Sequence, residues 1–320
     1  MSRGFSLLAG VLSVAAVTAV LLVPFPLRRI STHVARVEYA AFAQGLDTIA
    51  DQCSLGCLTR TAQRVIARHR RYTPALSAAF SAPPCVAPHA SAWVTLAPGI
   101  RYRSVSFTAR SGESMHLHQV SLDPKTADLR VTVPSEAAPV AAIGEASKAL
   151  AAVNASYFDE NRHPLGYLKC GGRIINGSVA SGAAFTGVFT MKGSTARIVP
   201  RASFDGHQAD TALQAGPRLV ADGAPTAGLR ETRSFRQSGV AVTRAGQVVI
   251  YATDGSYRGV SWNEMQRLLT GPTEQGGLDA RDVLNLDGGS SSQIYVRTQN
   301  GRVTTGFPTP VPVVLAMYRR

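Results

Sequence analysis

Residues 282–292 read Asp-Val-Leu-Asn-Leu-Asp-Gly-Gly-Ser-Ser-Ser, an apolar strand that ends at a carboxylate and continues through two glycines into a row of hydroxyls. The strand end fixes the position of Asp287, and Gly288 and Gly289 allow backbone N–H groups to approach a ligand without hindrance from a Cβ atom. The serines supply donors suited to sugar hydroxyls or to a phosphate. The alternative interpretation is a hairpin turn, which is the commoner meaning of an isolated Asp-Gly pair.

Three earlier segments carry motifs of the same kind: residues 153–158 (VNASYF), 212–220 (ALQAGPRLV) and 236–242 (RQSGVAV). In this order and spacing, and together with the Asp287 motif, they resemble the phosphodiester glycosidase domain family, whose members include N-acetylglucosamine-1-phosphodiester α-N-acetylglucosaminidase. The resemblance extends from about Trp93 to the end of the chain. Four short motifs in the right order are far more specific than any one of them.

The resemblance implies cleavage of a sugar–phosphate linkage at the anomeric carbon, through an oxocarbenium-like transition state that needs a negative group beside the ring. Asp287 is the predicted carboxylate, as nucleophile, base or electrostatic stabiliser. Arg236 is predicted to hold the phosphodiester through its planar fork, with Asp254 as a second carboxylate. Asn154 is predicted to orient a sugar hydroxyl or acetamido group. The full set of predicted substrate-binding residues is Asn154, Tyr157, Gly216, Gly288, Gly289, Ser290 and Ser291.

Each of these assignments has a purely structural alternative. Arg236 can form a surface ion pair, Asn154 can end a strand in a turn, and Asp254 can cap a turn. His116 and His118 share one face of a strand, but two ligands without a third do not predict a metal site. No cofactor is predicted, and the sequence leaves a metal requirement open. It contains no Ser-His-Asp order, phosphate-binding loop or dinucleotide fingerprint.

The first 27 residues predict a membrane segment, because residues 5–27 carry no charge and are about long enough to cross a bilayer. We interpret residues 1–27 as an uncleaved signal anchor, with a cleaved signal peptide as the alternative. Three arginines follow the run closely and only Arg3 precedes it, which by the positive-inside rule places the body in the cytoplasm. The cysteines and the family resemblance favour export, so the predicted body is extracytoplasmic, either periplasmic or extracellular.

Residues 28–92 predict a helical, cysteine-containing stalk followed by a proline-rich linker, because apolar residues recur near a 3.6-residue period from about position 34 to 66. Cys53, Cys57 and Cys85 lie close together in this region, and in an exported protein at least one disulfide among them is the expected use. Their connectivity cannot be deduced from sequence. Cys170 is interpreted as a buried small apolar residue.

Charge is distributed unevenly along the chain. Residues 1–110 carry 12 Lys and Arg against 3 Asp and Glu, a net charge of +9, whereas residues 111–320 carry 21 against 17, a net charge of +4. The excess lies beside the predicted membrane segment, where anionic lipid or acidic wall polymer is a plausible counter-surface and a solvated basic face is the alternative. No nucleic-acid partner is predicted, because no recognition motif accompanies the charge.

The body from residue 93 to 320 is predicted to be α+β, with mixed sheets of mostly short strands and few helices. A hairpin is predicted from residues 115–122 and 129–133, joined by a turn at Asp123. Further strands are predicted at 184–191, 239–243, 248–253, 283–286 and 293–297. One helix is predicted near Ala142, and another at Ser261, where Ser261 and Glu264 have the spacing of a capping box.

The sequence therefore predicts a membrane-anchored, extracytoplasmic hydrolase that cleaves a glycosyl phosphodiester of the cell envelope or of an exopolysaccharide. The alternative is a glycan-binding or assembly factor that keeps the pocket without turnover. A binding protein would keep the aromatic residues Tyr157, Phe158 and Tyr295 but could lose Asp287 at little cost, whereas an enzyme could not.

Overall fold

The computed structural model describes residues 88–229, 235–255 and 259–320. These residues belong to one compact unit, Pro83–Arg320. The predicted signal anchor, the helical stalk with its three cysteines and most of the predicted linker lie outside the described residues. Within the described ranges, no helix is long and apolar enough to cross a membrane.

The largest sheet, sheet A, contains nine strands and positions most of the candidate site. Its strand order is β1-β3-β4-β15-β14-β16-β12-β13, with β2 paired to β3 outside this path. The strands are β1 (His89–Ala90), β2 (Val94–Ala97), β3 (Ile100–Thr108), β4 (Ser114–Leu122), β12 (Arg218–Ala221), β13 (Ala224–Pro225), β14 (Ser238–Thr243), β15 (Val248–Gly255) and β16 (Ala280–Asn285).

Two five-stranded sheets complete the described body. Sheet B has the order β18-β17-β6-β19-β5, and sheet C has the order β10-β9-β11-β7-β8. Sheet B comprises β5 (Ala127–Thr132), β6 (Ala151–Asn154), β17 (Ile294–Thr298), β18 (Gly301–Thr305) and β19 (Val314–Arg319). Sheet C comprises β7 (Leu168–Cys170), β8 (Arg173–Asn176), β9 (Gly187–Lys192), β10 (Thr195–Pro200) and β11 (Thr211–Ala215).

Two α-helices occur in the described residues, α1 (Val140–Ala146) and α2 (Trp262–Thr270). The predicted capping box at the start of α2 is confirmed: the Ser261 hydroxyl accepts from Glu264 N, and the Glu264 carboxylate accepts from Ser261 N. Short 3-10 turns lie at Ala183–Phe185, Arg201–Ser203, Gly206–Gln208, Thr273–Gln275 and Gly289–Ser291. The prediction of a body made mostly of sheet with few helices is confirmed.

Sheet A is buried on both faces because it lies between two apolar clusters. Side chains alternate across a strand, so Val240 and Val242 of β14 join the main core shared with sheets B and C. The intervening Ala241 belongs instead to the cluster under α2, with Met265 and Leu269. This alternation determines which side chains of sheet A face the space next to sheet B.

One predicted pairing is wrong. The segments predicted as a hairpin form strands in different sheets: β4 pairs with β3 and β15 in sheet A, and β5 pairs with β19 in sheet B. The turn itself forms, because the Asp123 carboxylate accepts from Lys125 N at 2.9 Å. The nine-residue β4 finds partners of nine and eight residues in β3 and β15, whereas β5 has only six. Pairing along its full length satisfies more of the β4 backbone.

Candidate functional site

Asp287 lies where sheet A meets the end of a strand of sheet B. The strand β16 ends at Asn285, and the next residue, Leu286, donates its N–H to Ser238 O on β14 at 2.9 Å. One residue later, Asp287 N donates to Ala155 O, just beyond β6, at 3.1 Å. The chain is therefore held by both sheets at the point where the carboxylate emerges, as the strand-end interpretation predicts.

Asn154, the last residue of β6, forms the central connection of this junction. Its amide Nδ2 donates to Asp287 O at 2.7 Å. Its Oδ1 accepts from Ser238 Oγ at 2.7 Å and from Gln293 N at 3.0 Å. The side chain is fully buried, so three of its hydrogen-bonding positions are used inside the protein. These contacts position Asp287, which is a different task from the predicted direct contact with a sugar.

The Asp287 carboxylate is only partly exposed and is hydrogen-bonded from its own turn. Gly288 N donates to Oδ1 at 2.9 Å, and the Ser291 hydroxyl is a second hydrogen-bond partner. Burial raises the pKa of Asp287 to about 6, because a carboxylate loses favourable hydration inside the protein, while the two hydrogen bonds oppose the rise. Near neutral pH the group is mostly ionised yet can be protonated in mild acid.

The glycines after Asp287 are required by close packing and by backbone conformation. A Cβ atom on Gly288 would lie 3.0 Å from Phe235 Cε2 and 3.1 Å from Arg236 O. Gly289 has a φ of 66°, a left-handed backbone conformation that residues other than glycine rarely adopt. Its N–H donates to Arg236 O at 2.8 Å. The paired glycines thus allow the Asp287 turn to lie directly against the segment that carries Arg236.

Arg236 is a buried cation with an unused hydrogen-bond donor. Its side chain is 5% exposed, and its Cζ atom lies 4.4 Å from the centre of the Phe307 ring. Within the described ranges, its Nη2 atom has no hydrogen-bond partner. The predicted alternative of a surface ion pair does not fit this environment. A buried guanidinium without an anion is costly, so its position favours an anionic ligand.

Tyr157 and Gly216 meet on the other side of the turn. The Tyr157 hydroxyl donates to Gly216 O at 2.7 Å, and Asn285 Nδ2 donates to the same carbonyl at 3.2 Å. Burial raises the pKa of the Tyr157 hydroxyl, and the negative charge of Asp287 raises it further. The Tyr157 ring also packs edge-on against Phe185 at a centroid distance of 5.4 Å. Tyr157 therefore forms a rigid neutral wall beside the carboxylate.

Asp254 and Ser290 lie further from this centre. Asp254 is on β15, separated from β16 by the strand β14. Ser290 is exposed in the 3-10 turn Gly289–Ser291, whereas Ser291 is buried. The structure brings Asp287, Asn154, Tyr157, Gly216, Gly288, Gly289, Ser291 and the Arg236 backbone into one connected cluster.

Comparison with known families agrees with this arrangement. A family model for the phosphodiester glycosidase domain matches residues 147–318, which include every member of the cluster. The chain belongs to the phosphodiester glycosidase family. No curated protein sequence matches the chain.

Solved structures share the fold of this family member at low sequence identity. The catalytic domain of zebrafish N-acetylglucosamine-1-phosphodiester α-N-acetylglucosaminidase, auto-inhibited by its pro-peptide, is 16% identical, with a TM-score of 0.55 over 73% of this chain and 89% of that one. A hypothetical protein from Synechocystis is 17% identical, with a TM-score of 0.52 over 75% of this chain and 64% of that one. A protein from Burkholderia pseudomallei is 12% identical, with a TM-score of 0.50 over 74% and 97%. The chain spans slightly less than two thirds of the Synechocystis protein.

Several residues that build the site in this member of the phosphodiester glycosidase family were missed from sequence. Ser238 donates to Asn154 Oδ1 and contacts Ser292 Oγ at 3.0 Å, linking three of the four motifs. Gln293 N donates to Asn154 Oδ1 at 3.0 Å, and Asn285 Nδ2 donates to Gly216 O at 3.2 Å. Ser238, Ser292, Gln293 and Asn285 lie within or beside the quoted motifs, so buried polar residues on otherwise apolar strands were the available signal.

A groove elsewhere on the protein does not contain the site. A cavity of about 510 Å³ lies against the outer part of sheet C, with Lys192, Arg197, Phe204 and Asp205 among its lining residues. None of the predicted site residues lines it. The connected motifs, the raised pKa of Asp287 and the buried Arg236 identify the junction of sheets A and B as the candidate site instead.

Proposed function

We propose that this protein hydrolyses a glycosyl phosphodiester, releasing a sugar and a phosphate monoester. The observation that carries the proposal is the pairing of a partly buried carboxylate, Asp287, with a buried, incompletely hydrogen-bonded guanidinium, Arg236, in two segments that contact each other. Gly289 N donates to Arg236 O at 2.8 Å, so the turn that holds the carboxylate is fixed to the segment that holds the cation. The negative Asp287 matches the positive charge that develops on the sugar ring, and the positive Arg236 matches the negative charge of the phosphate.

The carboxylate matches the sugar half of the substrate. Cleavage of the anomeric C–O bond leaves positive charge on the ring carbon and oxygen, and a nearby anion stabilises it. The phosphate is already a stable leaving anion, so the reaction needs less help from a general acid than ordinary glycoside cleavage. The hydrogen bonds from Gly288 and Ser291 orient Asp287 for this purpose. Asn154 holds the backbone carbonyl of the same residue.

The guanidinium matches the phosphate half. Arg236 has at least one donor directed to no acceptor among the residues described, and a phosphodiester monoanion supplies both acceptors and charge. Phe307, 53% exposed, covers the guanidinium from one side and limits its freedom. A fixed planar donor group recognises tetrahedral phosphate oxygens more specifically than a flexible lysine does.

We further propose that the body acts outside the cytoplasm on a glycan of the cell envelope or on an exopolysaccharide, anchored by residues 1–27. The uncharged run at residues 5–27 and the grouped cysteines support this location. A periplasm-dependent reporter fused after Arg320 is expected to be active in a bacterial host. Activity of a cytoplasm-dependent reporter at the same position would contradict the proposed orientation.

The activity is tested by incubating the full-length chain with a panel of sugar 1-phosphodiesters and measuring the phosphate monoester released. Asp287→Asn and Arg236→Lys are the test variants. The surface ion pair of Arg244 and Asp279, joined at 3.3 Å with side chains 57% and 69% exposed, supplies matched controls, Asp279→Asn and Arg244→Lys. Turnover by the wild type and both controls, with loss in Asp287→Asn, is expected. Binding of the diesters without turnover by the wild type would favour the glycan-binding alternative.

A further inference from the structure

The outer face of sheet C carries an open groove that the proposed reaction does not use. Side chains alternate across a strand, so every second residue of the hairpin β9–β10 faces the main core. Those residues are Phe189, Met191, Ala196 and Ile198. The residues of the hairpin that line a cavity of about 510 Å³ on the other face are Thr190, Lys192, Thr195, Arg197 and Val199. We call this cavity the sheet C groove.

The second wall of the sheet C groove is the segment 201–210, which is fixed to the sheet by hydrogen bonds. Asp210 N donates to Met191 O of β9 at 2.8 Å. Nearer the middle of the segment, Gly206 O accepts from Lys169 Nζ of β7 at 2.9 Å. The groove is therefore preformed, and a ligand loses little free energy in ordering its walls.

This wall has an apolar part and a polar part. Phe204 lines the groove and packs edge-on against Tyr167 at a centroid distance of 4.8 Å. Asp205 is held in its own turn, where its carboxylate accepts from His207 N at 2.9 Å and from Gln208 Nε2 at 3.1 Å. The ring suits an apolar C–H surface, and the fixed carboxylate can accept further hydrogen bonds from hydroxyl groups. A sugar presents both kinds of surface.

The groove also holds two cations that no carboxylate neutralises. Lys192 and Arg197 are exposed, and neither forms an ion pair with any of the residues that the structure describes. Lys192 pairs with Thr195 and Arg197 with Thr190, so the two cations are diagonal neighbours about 7–8 Å apart at Cα. The strands of sheet C contain four Lys or Arg residues and no Asp or Glu. This face therefore favours an anionic ligand.

The sheet C groove is separate from the junction that carries Asp287. Gln214 lies on the same outer face of β11, because it pairs with Val188, but its side chain is fully buried. Its Nε2 atom donates to Phe185 O at 3.2 Å, and the Phe185 ring packs against Tyr157 of the site. A covered stretch of sheet thus lies between the groove and the site, and a ligand in the groove would leave the catalytic position free.

We propose that the sheet C groove is a second binding site, and that its ligand is an acidic glycan. Lys192 and Arg197 bind the anionic groups of the glycan, while Asp205 accepts hydrogen bonds from its sugar hydroxyls. The hydroxyls of Thr190 and Thr195 add further polar contacts between the two cations. A carboxylate in the groove repels a ligand without hydroxyls between its charges, so Asp205 favours a glycan over a nucleic acid. The site would hold the protein on an acidic polymer whether or not the proposed hydrolysis occurs.

Titration calorimetry on the full-length chain tests this proposal with a galacturonic acid hexamer and neutral maltohexaose. The wild type is expected to bind the acidic hexamer at least about tenfold more tightly than the neutral one. Lys192→Gln and Arg197→Gln should each weaken binding of the acidic hexamer about tenfold, because each removes a charge-assisted hydrogen bond. Arg197→Lys keeps the charge but loses the planar fork, so its loss should be smaller. Both positions are exposed, so these substitutions leave the fold intact.

Two control variants locate the binding. Arg244→Gln removes one exposed positive charge outside the groove and should leave the affinity for the acidic hexamer unchanged. Arg236→Lys should also leave it unchanged, which separates the groove from the proposed catalytic site. Equal affinity of the wild type for both hexamers, or an equal loss in either control, would overturn the proposal. Equally tight binding of a thymidine oligonucleotide with the same number of charges would show a general anion site and overturn the assignment to a glycan.

Discussion

Replacing Asp287 by asparagine tests two effects of the carboxylate separately: its effect on the free energy of unfolding and its effect on kcat. The amide has nearly the same shape, and its Oδ1 can still accept from Gly288 N, which is 2.9 Å from the carboxylate oxygen. The Ser291 hydroxyl can adapt to an amide partner because it both donates and accepts. The substitution therefore removes the charge and little else.

The magnitude of the stability effect follows from the pKa. Burial raises the pKa of Asp287 from 3.8 to about 6, so ionisation is less favourable in the folded chain than in the unfolded one. At about 1.4 kcal/mol per pKa unit, this difference costs the folded wild type about 3 kcal/mol at pH 8 and only about 0.5 kcal/mol at pH 4. This cost to folding grows as the pH rises from about 4 to about 6. In that range the carboxyl is already ionised in the unfolded chain but still largely protonated in the folded chain. Asp287→Asn avoids it entirely.

The expected result is a variant that is more stable but nearly inactive. Urea unfolding should show Asp287→Asn to be more stable than the wild type by up to about 3 kcal/mol at pH 8, with the difference nearly gone at pH 4. In parallel, kcat should fall by a factor on the order of 10² to 10⁴, since a charge next to the developing cation is lost. In the wild type, kcat should rise with pH through about 6 as the carboxyl ionises.

Two results would refute this reasoning. Equal stability of the wild type and Asp287→Asn at pH 8 would mean that the carboxylate is not held in a desolvated position. Turnover of the variant at the wild-type rate would exclude Asp287 from the chemistry. The exposed control Asp279→Asn should leave both stability and kcat unchanged, which corrects for any general effect of removing one negative charge.

Three further results are expected from other parts of the chain. Arg236→Lys keeps the charge but loses the planar fork, so KM for the diester should rise with a smaller change in kcat; a kcat effect alone would argue against phosphate binding. Asn154→Ala leaves Ser238, Gln293 and Asp287 without their buried partner, and urea unfolding should show a loss of about 2 to 4 kcal/mol, whereas a loss under 1 kcal/mol would contradict its central position. Mass spectrometry of non-reduced peptides should find at least one disulfide among the three cysteines of the stalk, contributing about 2–4 kcal/mol; three free thiols would exclude it.

The parts of the fold that depend on local chemistry could be predicted from the sequence. The capping box at Ser261 needs only two residues three positions apart, and it forms as predicted. The strand ending before Asp287 follows from a short apolar run that stops at a carboxylate and two glycines. In both cases the deciding contacts lie within a few residues of each other.

The parts that depend on distant pairing could not be predicted. The turn at Asp123 forms, yet the strands on either side join different sheets, because partners of matching length come from far along the chain. Asn154 is recognisable from the sequence as a site residue, but it is separated from Asp287 by 133 positions, so the hydrogen bond that joins them could not be predicted.

The buried guanidinium of Arg236 also gives a practical route to the natural substrate. Arg236 is buried, and its Nη2 atom has no hydrogen-bond partner among the described residues, which is unfavourable for a charged group. An anion that binds there and accepts a hydrogen bond from Nη2 should stabilise the folded protein. A ligand that binds only the folded chain raises its stability by about 2.7 kcal/mol at a hundredfold excess over Kd, a shift of several degrees in the melting temperature. Libraries of phosphorylated sugars can therefore be screened by thermal melting alone, without a turnover assay and even with the inactive Asp287→Asn variant.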